Sequence, residues 1–383
     1  MSFSEKAEKS VRTSVWLLYI LIVFEILYMI SPFAFYYYSY YAIPLNWFQQ
    51  SPVPSWLTIY IFPHFTDTGS LLVKGVLMLA WPFIGIGISI FGIGFFQIYW
   101  AKFTRRQVVS RGLYRVIRHP QYVGLAILGL GTTIYWSRII VYIAYFSMLF
   151  LYYMLAKQEE QICLKKYGQS YQDYLDSTGM FLPNAIEDRI PSFPTFLPST
   201  GVKKILARIV LFVVYISIVI AIGLSLKSYN VSTITRITED QRVVIAVSHM
   251  DQQLAEKIVN AVYGDEETTG ILEKLAIKRQ LVYIIPSNWE IPELDVWGNG
   301  EINMMINVAT HGNPPVYNGD NFSILVTEPV TYDQDATGED ILMTGIAFIP
   351  RLSVEYNLKS GLVTNIELKS NRGKWDGIPV PIY

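Results

Sequence analysis

The groups in this 383-residue chain that could do chemistry are a histidine, two adjacent glutamates and a run of arginines. Arg111, Arg115 and Arg118 lead into His119-Pro120-Gln121-Tyr122, and Glu159-Glu160 follow forty residues after the histidine. A proline directly after the histidine reads as the first position of a helix. The imidazole then sits at a helix N-terminus, where free amides and a partial positive charge suit a carboxylate or a phosphate. Adjacent glutamates at the end of an apolar helix oppose its dipole and repel one another. A bound cation or a pair of ribose hydroxyls would compensate them; otherwise Lys157, Lys165 and Lys166 screen a solvated helical end. The arginine run has a plainer reading as a topology signal beside lipid headgroups. Cations and carboxylates gathered beside lipid suit a charged ligand that meets a lipophilic co-substrate.

The elements that must position these groups are apolar. Gln121–Trp136 is sixteen residues without a formal charge, Ser137-Arg138 interrupts it, and Ile139–Ala156 adds eighteen more. Two such runs joined by a two-residue break predict a helical hairpin in a membrane, each arm covering about 24–27 Å at ~1.5 Å per residue. A hairpin returns the chain to the face it left, so His119 and Glu159/Glu160 can converge. Further spans are expected at about 14–35, which contains Glu25, at 75–100 and at 204–227. Lys6, Lys9 and Arg12 precede the first span, the loop to Ser70 has no Lys or Arg, and Lys102, Arg105 and Arg106 follow the second. The positive-inside rule then places the N-terminus and the His119 face in the cytoplasm.

Composition divides the chain. It is 52% hydrophobic and 16% charged, too apolar for an average soluble domain and too polar for spans throughout. Residues 1–227 hold 19 Lys+Arg against 10 Asp+Glu, whereas residues 228–383 hold 11 against 21. The expected fold is an α-helical integral membrane protein of about five transmembrane helices carrying a C-terminal α+β soluble domain. Its parts are a membrane core over 1–183, with spans 14–35, 75–100, 121–136 and 139–156, and a Pro-rich linker over 184–203. A fifth span over 204–227 and an acidic domain over 228–383 outside the cytoplasm complete it. In that domain Arg242–Ser248, Leu281–Ile285, Ile302–Val308, Ser323–Thr327, Ile341–Phe348 and Leu362–Leu368 read as strands, and Gln252–Val262 and Thr269–Lys278 as helices. Sequons at Asn230 and Asn321 fall in the same region. Cys163 is the single cysteine, which excludes an intramolecular disulfide, and the four histidines show no ligand spacing, so no metal is expected. Gly85-Ile-Gly87 and Gly92-Ile-Gly94 lie inside an apolar run, where glycines seven apart mark close helix packing rather than a dinucleotide loop. Glu25, a carboxylate within a span, is a functional candidate by position.

Gly112-x-Tyr114-x5-His119-Pro120-x-Tyr122-x-Gly124, the hairpin, Glu159-Glu160-x6-Tyr167-Gly168-x2-Tyr171-x2-Tyr174 and Leu182-Pro183 together resemble the isoprenylcysteine carboxyl methyltransferase family. Its wider group includes membrane phospholipid and small-thiol methyltransferases. The resemblance covers roughly residues 95–183 and leaves out the fifth span and the acidic domain. It implies S-adenosylmethionine as methyl donor, bound without a Rossmann fold and without metal. By position, it implies a cofactor pocket formed by Tyr114, Arg118, His119, Pro120, Gln121, Tyr122, Glu159 and Glu160, with Val108 and Val109 as backbone contacts. The acceptor is expected to be lipophilic or membrane-borne, a carboxylate, a thiol or a lipid amine. The prenylcysteine enzymes carry an arginine four residues before the cofactor glutamate; here that position is Leu155, which disfavours a prenylcysteine carboxylate. No residue stands out as a general base.

Two other readings compete. One is a membrane NADPH-dependent sterol-type reductase, whose hairpin carries a related Arg-His-Pro-x-Tyr element; Gln121 and the double glutamate favour the methyltransferase. The other is a non-catalytic membrane scaffold or sensor acting through its outer domain. The expected partners are the bilayer, the acceptor and a protein bound by the C-terminal domain, with no nucleic acid. A prokaryotic plasma membrane is the expected location.

Overall fold

The computed structural model describes residues 42–104, 109–189, 201–289, 291, 294, 319–370 and 380–383, with scattered positions between 23 and 37. Its helical part contains α1 (Ala42–Gln50), α2 (Leu71–Met78), α3 (Ala80–Phe103), α4 (Pro120–Tyr135), α5 (Ile139–Tyr167), α6 (Gln169–Ser177) and α7 (Gly201–Thr233). The Ser70 hydroxyl caps α2 by accepting from the Val73 amide. Among the described residues, three helices are long and apolar enough to cross a membrane: Leu71–Phe103, Ile139–Tyr167 and Ile205–Thr233. Most of the expected span 14–35, Glu25 included, lies outside the described residues. The expected arm 121–136 is helical, but its 16 residues cover only about 24 Å, less than the ~30 Å hydrocarbon layer. Nine residues of α4 are buried, so it packs inside protein more than against lipid. Among the described residues the structure supports three of the expected apolar spans, and α4 forms the shorter arm of the hairpin with α5.

Glycine sets the spacing of α3 and α4. A Cβ on Gly87 would meet the Gly124 carbonyl at 2.7 Å, and one on Gly124 would meet the Phe91 amide at 2.5 Å. One on Gly131 would meet the Ala80 carbonyl at 2.5 Å. These backbones touch because no side chain stands between them, the usual device where helices pack in lipid. Gly85 and Gly92 face open space. By contrast, tyrosines separate α4 from α5: the Tyr122 and Tyr152 rings stack at 4.7 Å, and Tyr145 donates its hydroxyl to the Ala126 carbonyl at 2.9 Å.

After α7 the chain forms a six-stranded sheet in the order β1-β2-β3-β4-β5-β6. The strands are β1 (Arg236–Thr238), β2 (Arg242–Ala246), β3 (Gln280–Pro286), β4 (Asn321–Thr331), β5 (Gly345–Asn357) and β6 (Leu362–Leu368). β2 and β3 pair in parallel across a crossover through α8 (Gln252–Tyr263) and α9 (Glu266–Leu275); the other pairs are antiparallel. Val244, Ala246, Val282 and Ile284 pack under these helices, while Val243, Ile245, Leu281 and Tyr283 pack beneath Trp289, Ile341, Leu342 and Tyr383. Burial on both faces makes these strands continuously apolar instead of alternating. Two expectations need amendment. Ile341–Phe348 is not one strand: Asp340–Thr344 is a helical turn and β5 starts at Gly345. Its apolar run covers a turn and a strand buried alike, so periodicity carried no signal of the break. The Asn230 sequon lies within α7 with its side chain buried and donating to the Ile61 carbonyl at 2.9 Å, so the folded chain does not present it. The expected strand Ile302–Val308 and most of the linker 184–203 lie outside the described residues.

Candidate functional site

The site is built where α4 begins and α5 ends its apolar stretch. Gly112 takes a φ of +62°, and a side chain there would strike Gln97 of α3, whose Oε1 accepts from the Leu113 amide. This turn delivers Tyr114, whose hydroxyl donates to the Gly94 carbonyl and whose carbonyl accepts from Tyr174 Oη at 2.6 Å. Burial pushes the Tyr174 phenol up to about 12, so it stays a neutral donor. The Arg118 and His119 amides then donate to the Gly179 and Met180 carbonyls. On the other side of that loop, Glu187 gathers the amides of Met180, Phe181 and Leu182. The chain before Pro120 is therefore pinned from both sides.

Pro120 occupies the first position of α4, as the sequence implies, but the His119 side chain makes no cap hydrogen bond. Its imidazole turns toward α5. Nδ1 lies 3.5 Å from Glu159 Oε2, and Nε2 lies 3.6 Å from Glu160 Oε1. The ring stacks on Tyr122 at 5.6 Å and meets Phe181 at 5.8 Å. Tyr122 donates its hydroxyl to Glu159 Oε1 at 2.5 Å. His119, Tyr122 and Glu159 thus form one contiguous group.

The two glutamates are not equivalent. Arg118 Nε donates to Glu160 Oε1 at 2.7 Å, and its Nη1 donates to the Leu175 carbonyl at 3.0 Å. Lys157 Nζ stands 3.5 Å from the other Glu160 oxygen. Both side chains of the Arg118–Glu160 pair are buried, at 10% and 6% exposure, whereas the Glu159 side chain is 40% exposed. Within the protein, Arg118 and Lys157 compensate Glu160. The more exposed Glu159 is the carboxylate that faces outward.

The remaining sequence candidates divide further. Pro120 and Gln121 are buried against Gly94 of α3. Val109 is half-buried just ahead of the Gly112 turn, and Val108 lies outside the described residues. Among the described residues no group of three or more His, Cys, Asp or Glu could hold a metal. Sequence reasoning passed over Phe181, Glu187 and Tyr152. Tyr152 precedes Glu159 by seven residues, two helical turns on the same face, and that spacing was the available signal.

The His119, Tyr122 and Glu159 group lies within the part of the chain that comparison with known proteins identifies. Residues 71–170 match the model of the phospholipid methyltransferase family. The match spans α2 through α5 and includes His119, Tyr122 and Glu159. It supports a membrane methyltransferase. No curated protein and no solved structure matches the chain.

A methyltransferase segment implies a sulfonium methyl donor, and the residues present fit one. His119 Nε2 is buried and makes no hydrogen bond among the described residues. Glu159 offers a partly exposed carboxylate to an ammonium or to ribose hydroxyls. The Tyr122 and Phe181 rings flank the imidazole and fix its orientation.

Proposed function

We infer that the protein is an integral membrane S-adenosylmethionine-dependent methyltransferase acting on a lipophilic or membrane-borne acceptor. One observation carries this reading: within the phospholipid-methyltransferase-like segment, His119, Tyr122 and Glu159 converge at the end of two apolar helices. When bound, S-adenosylmethionine supplies an electrophilic methyl on sulfur. The chain's own residues bind and orient it. Glu159 faces its cationic and hydroxyl groups, Tyr122 fixes the Glu159 carboxylate, and His119 lies against both. The Arg118–Glu160 pair holds α4 to α5 so that this set keeps its spacing. Phe181, on the loop tied down by Glu187, covers the imidazole and excludes water. Alignment and dryness are the main requirements of displacement at a sulfonium methyl. The basic segments flanking the spans support a cytoplasmic site, with the sheet domain on the other face.

Arg118 also bears on the reductase alternative. A dinucleotide phosphate needs arginines directed outward, and Arg118 is committed to Glu160 and the Leu175 carbonyl. The test is calorimetric titration of the full chain in mild detergent with S-adenosylhomocysteine and, separately, NADPH. Binding of S-adenosylhomocysteine alone, lost in His119→Ala and Glu159→Gln, is the expected result. NADPH binding would replace this reading with the reductase.

A further inference from the structure

Four tyrosines, Tyr36, Tyr122, Tyr145 and Tyr152, are buried in the apolar cluster between α4 and α5. Three have partners for their hydroxyls. Tyr36 donates to the Gly129 carbonyl at 3.0 Å and meets Thr133 Oγ1 at 2.8 Å. Tyr122 donates to Glu159, and Tyr145 to the Ala126 carbonyl. The Tyr152 hydroxyl is buried and has no hydrogen-bond partner among the described residues. Packing does not account for it, because a phenylalanine would fill the same space without stranding a polar atom.

Its position gives the hydroxyl a use. The Tyr152 ring stacks on Tyr122, which stacks on His119 with planes 13° apart, so three rings lead from the cluster to the site. Tyr152 lies two turns before Glu159, on the side of the site that continues into the apolar helices. That region carries no formal charge: Gln121–Trp136 and Ile139–Ala156 contain none, and Leu155 stands one turn before Glu159. A lipophilic acceptor arriving between α4 and α5 would meet the Tyr152 hydroxyl, buried and without a hydrogen-bond partner among the described residues, before reaching the methyl donor.

We propose that the Tyr152 oxygen accepts a hydrogen bond from the acceptor's nucleophilic head, an uncharged amine or thiol, and so turns the head's lone pair toward the donor methyl. This rests on the methyltransferase reading above. In the transfer, the acceptor lone pair forms the new bond to carbon, and the carbon–sulfur bond breaks with its electrons passing to sulfur. The donor leaves as a neutral thioether, and the methylated ammonium or sulfonium sheds its proton to solvent. Tyr152 touches the acceptor and none of the donor, so its loss separates the two.

The experiment compares full-length wild type, Tyr152→Phe and Tyr122→Phe in detergent. Each is measured for S-adenosylhomocysteine binding, thermal unfolding, and transfer of labelled methyl to phosphatidylethanolamine vesicles and to dodecanethiol micelles. Tyr152→Phe is expected to bind S-adenosylhomocysteine as wild type and to melt at the same or a higher temperature. It is also expected to lose about 10-fold in transfer, through kcat or acceptor KM, the loss suited to one hydrogen bond. Tyr122→Phe is expected to weaken S-adenosylhomocysteine binding. The vesicle and micelle arms tell an amine head from a thiol head. Unchanged transfer by Tyr152→Phe, or lost transfer accompanied by a lowered melting temperature, would overturn the proposal. So would a wild type that binds S-adenosylhomocysteine and methylates neither probe, since the cluster then receives neither head group. A wild type that binds no S-adenosylhomocysteine would instead remove the methyltransferase reading on which the proposal stands.

Discussion

Replacing Glu160 with glutamine leaves the Arg118 guanidinium without its carboxylate, in a place where that side chain is 10% exposed. Removing one partner of a buried ion pair costs about 3–5 kcal/mol, because the other charge remains desolvated and uncompensated. Glu160→Gln is therefore expected to lower the unfolding temperature by several degrees, and Arg118→Met with Glu160→Leu together to recover much of the loss. Glu159→Gln is expected to behave differently. Its 40% exposed side chain leaves no buried charge behind, so stability stays near wild type. The charge-assisted contacts to a bound donor disappear, and at ~1.5–3 kcal/mol they correspond to roughly 10–100-fold in S-adenosylhomocysteine affinity. Thermal unfolding and calorimetry on the two single variants separate the roles. Equal destabilisation by both would contradict the division of labour between these neighbours.

At the scale of elements, the α3–α4 contact makes a sharp distinction among glycines that look alike in sequence. A methyl group on Gly87 would strike the Gly124 carbonyl and the Leu128 backbone, which cannot move without separating the helices. Gly87→Ala is expected to destabilise the fold and, because α4 carries His119 at its start, to weaken S-adenosylhomocysteine binding as well. Gly85→Ala and Gly92→Ala meet nothing within 4 Å and gain helix propensity of up to ~1 kcal/mol. They are expected to melt at or above the wild-type temperature. The alternating pattern Gly85-Ile-Gly87 and Gly92-Ile-Gly94 revealed a packing face but not which glycines form it, since that depends on the rotation of α3 about its axis. The same limit applied elsewhere. Proline after histidine disclosed where α4 starts, and the charge-free runs disclosed the hairpin that brings His119 back to Glu159. Tyr152 was hidden because a phenol inside an apolar run reads as core, and only the pairing of its neighbours exposes the unpaired hydroxyl. The Arg118–Glu160 pair was equally hidden: sequence put a base and an acid at one face without showing that one of two glutamates would be consumed by it.

The whole molecule is held together at the end opposite the site. Arg138 is buried in the hairpin turn and donates to the Thr58 carbonyl at 2.8 Å, while Ser137 accepts the Ile61 and Phe62 amides through its carbonyl and hydroxyl. The segment 58–64 is thereby fastened to the turn between α4 and α5. From its other side, Lys227 at the end of α7 donates to the Tyr60 carbonyl at 2.9 Å and to the Tyr383 hydroxyl at 3.2 Å. The His64 amide donates to the Tyr383 carbonyl, and Asp67 to Val247, so the sheet domain closes on the same segment. Two sets of bonds therefore hold one short segment, and they can be broken separately. Lys227→Met keeps the buried stem but loses both donors, leaving the Tyr60 carbonyl with a weaker share of partners. Hydrogen exchange followed amide by amide is expected to show faster exchange at His64 and Asp67 and retained protection at Ile61 and Phe62, whose acceptors belong to the hairpin turn. S-adenosylhomocysteine binding is expected to be unchanged, because α4 separates this junction from His119 by about 24 Å of glycine-packed helix. A loss of binding in Lys227→Met would mean that the sheet domain acts on the site through the hairpin, either along α4 or along α5, which packs on α7 through Phe150 and Phe212 and carries Glu159.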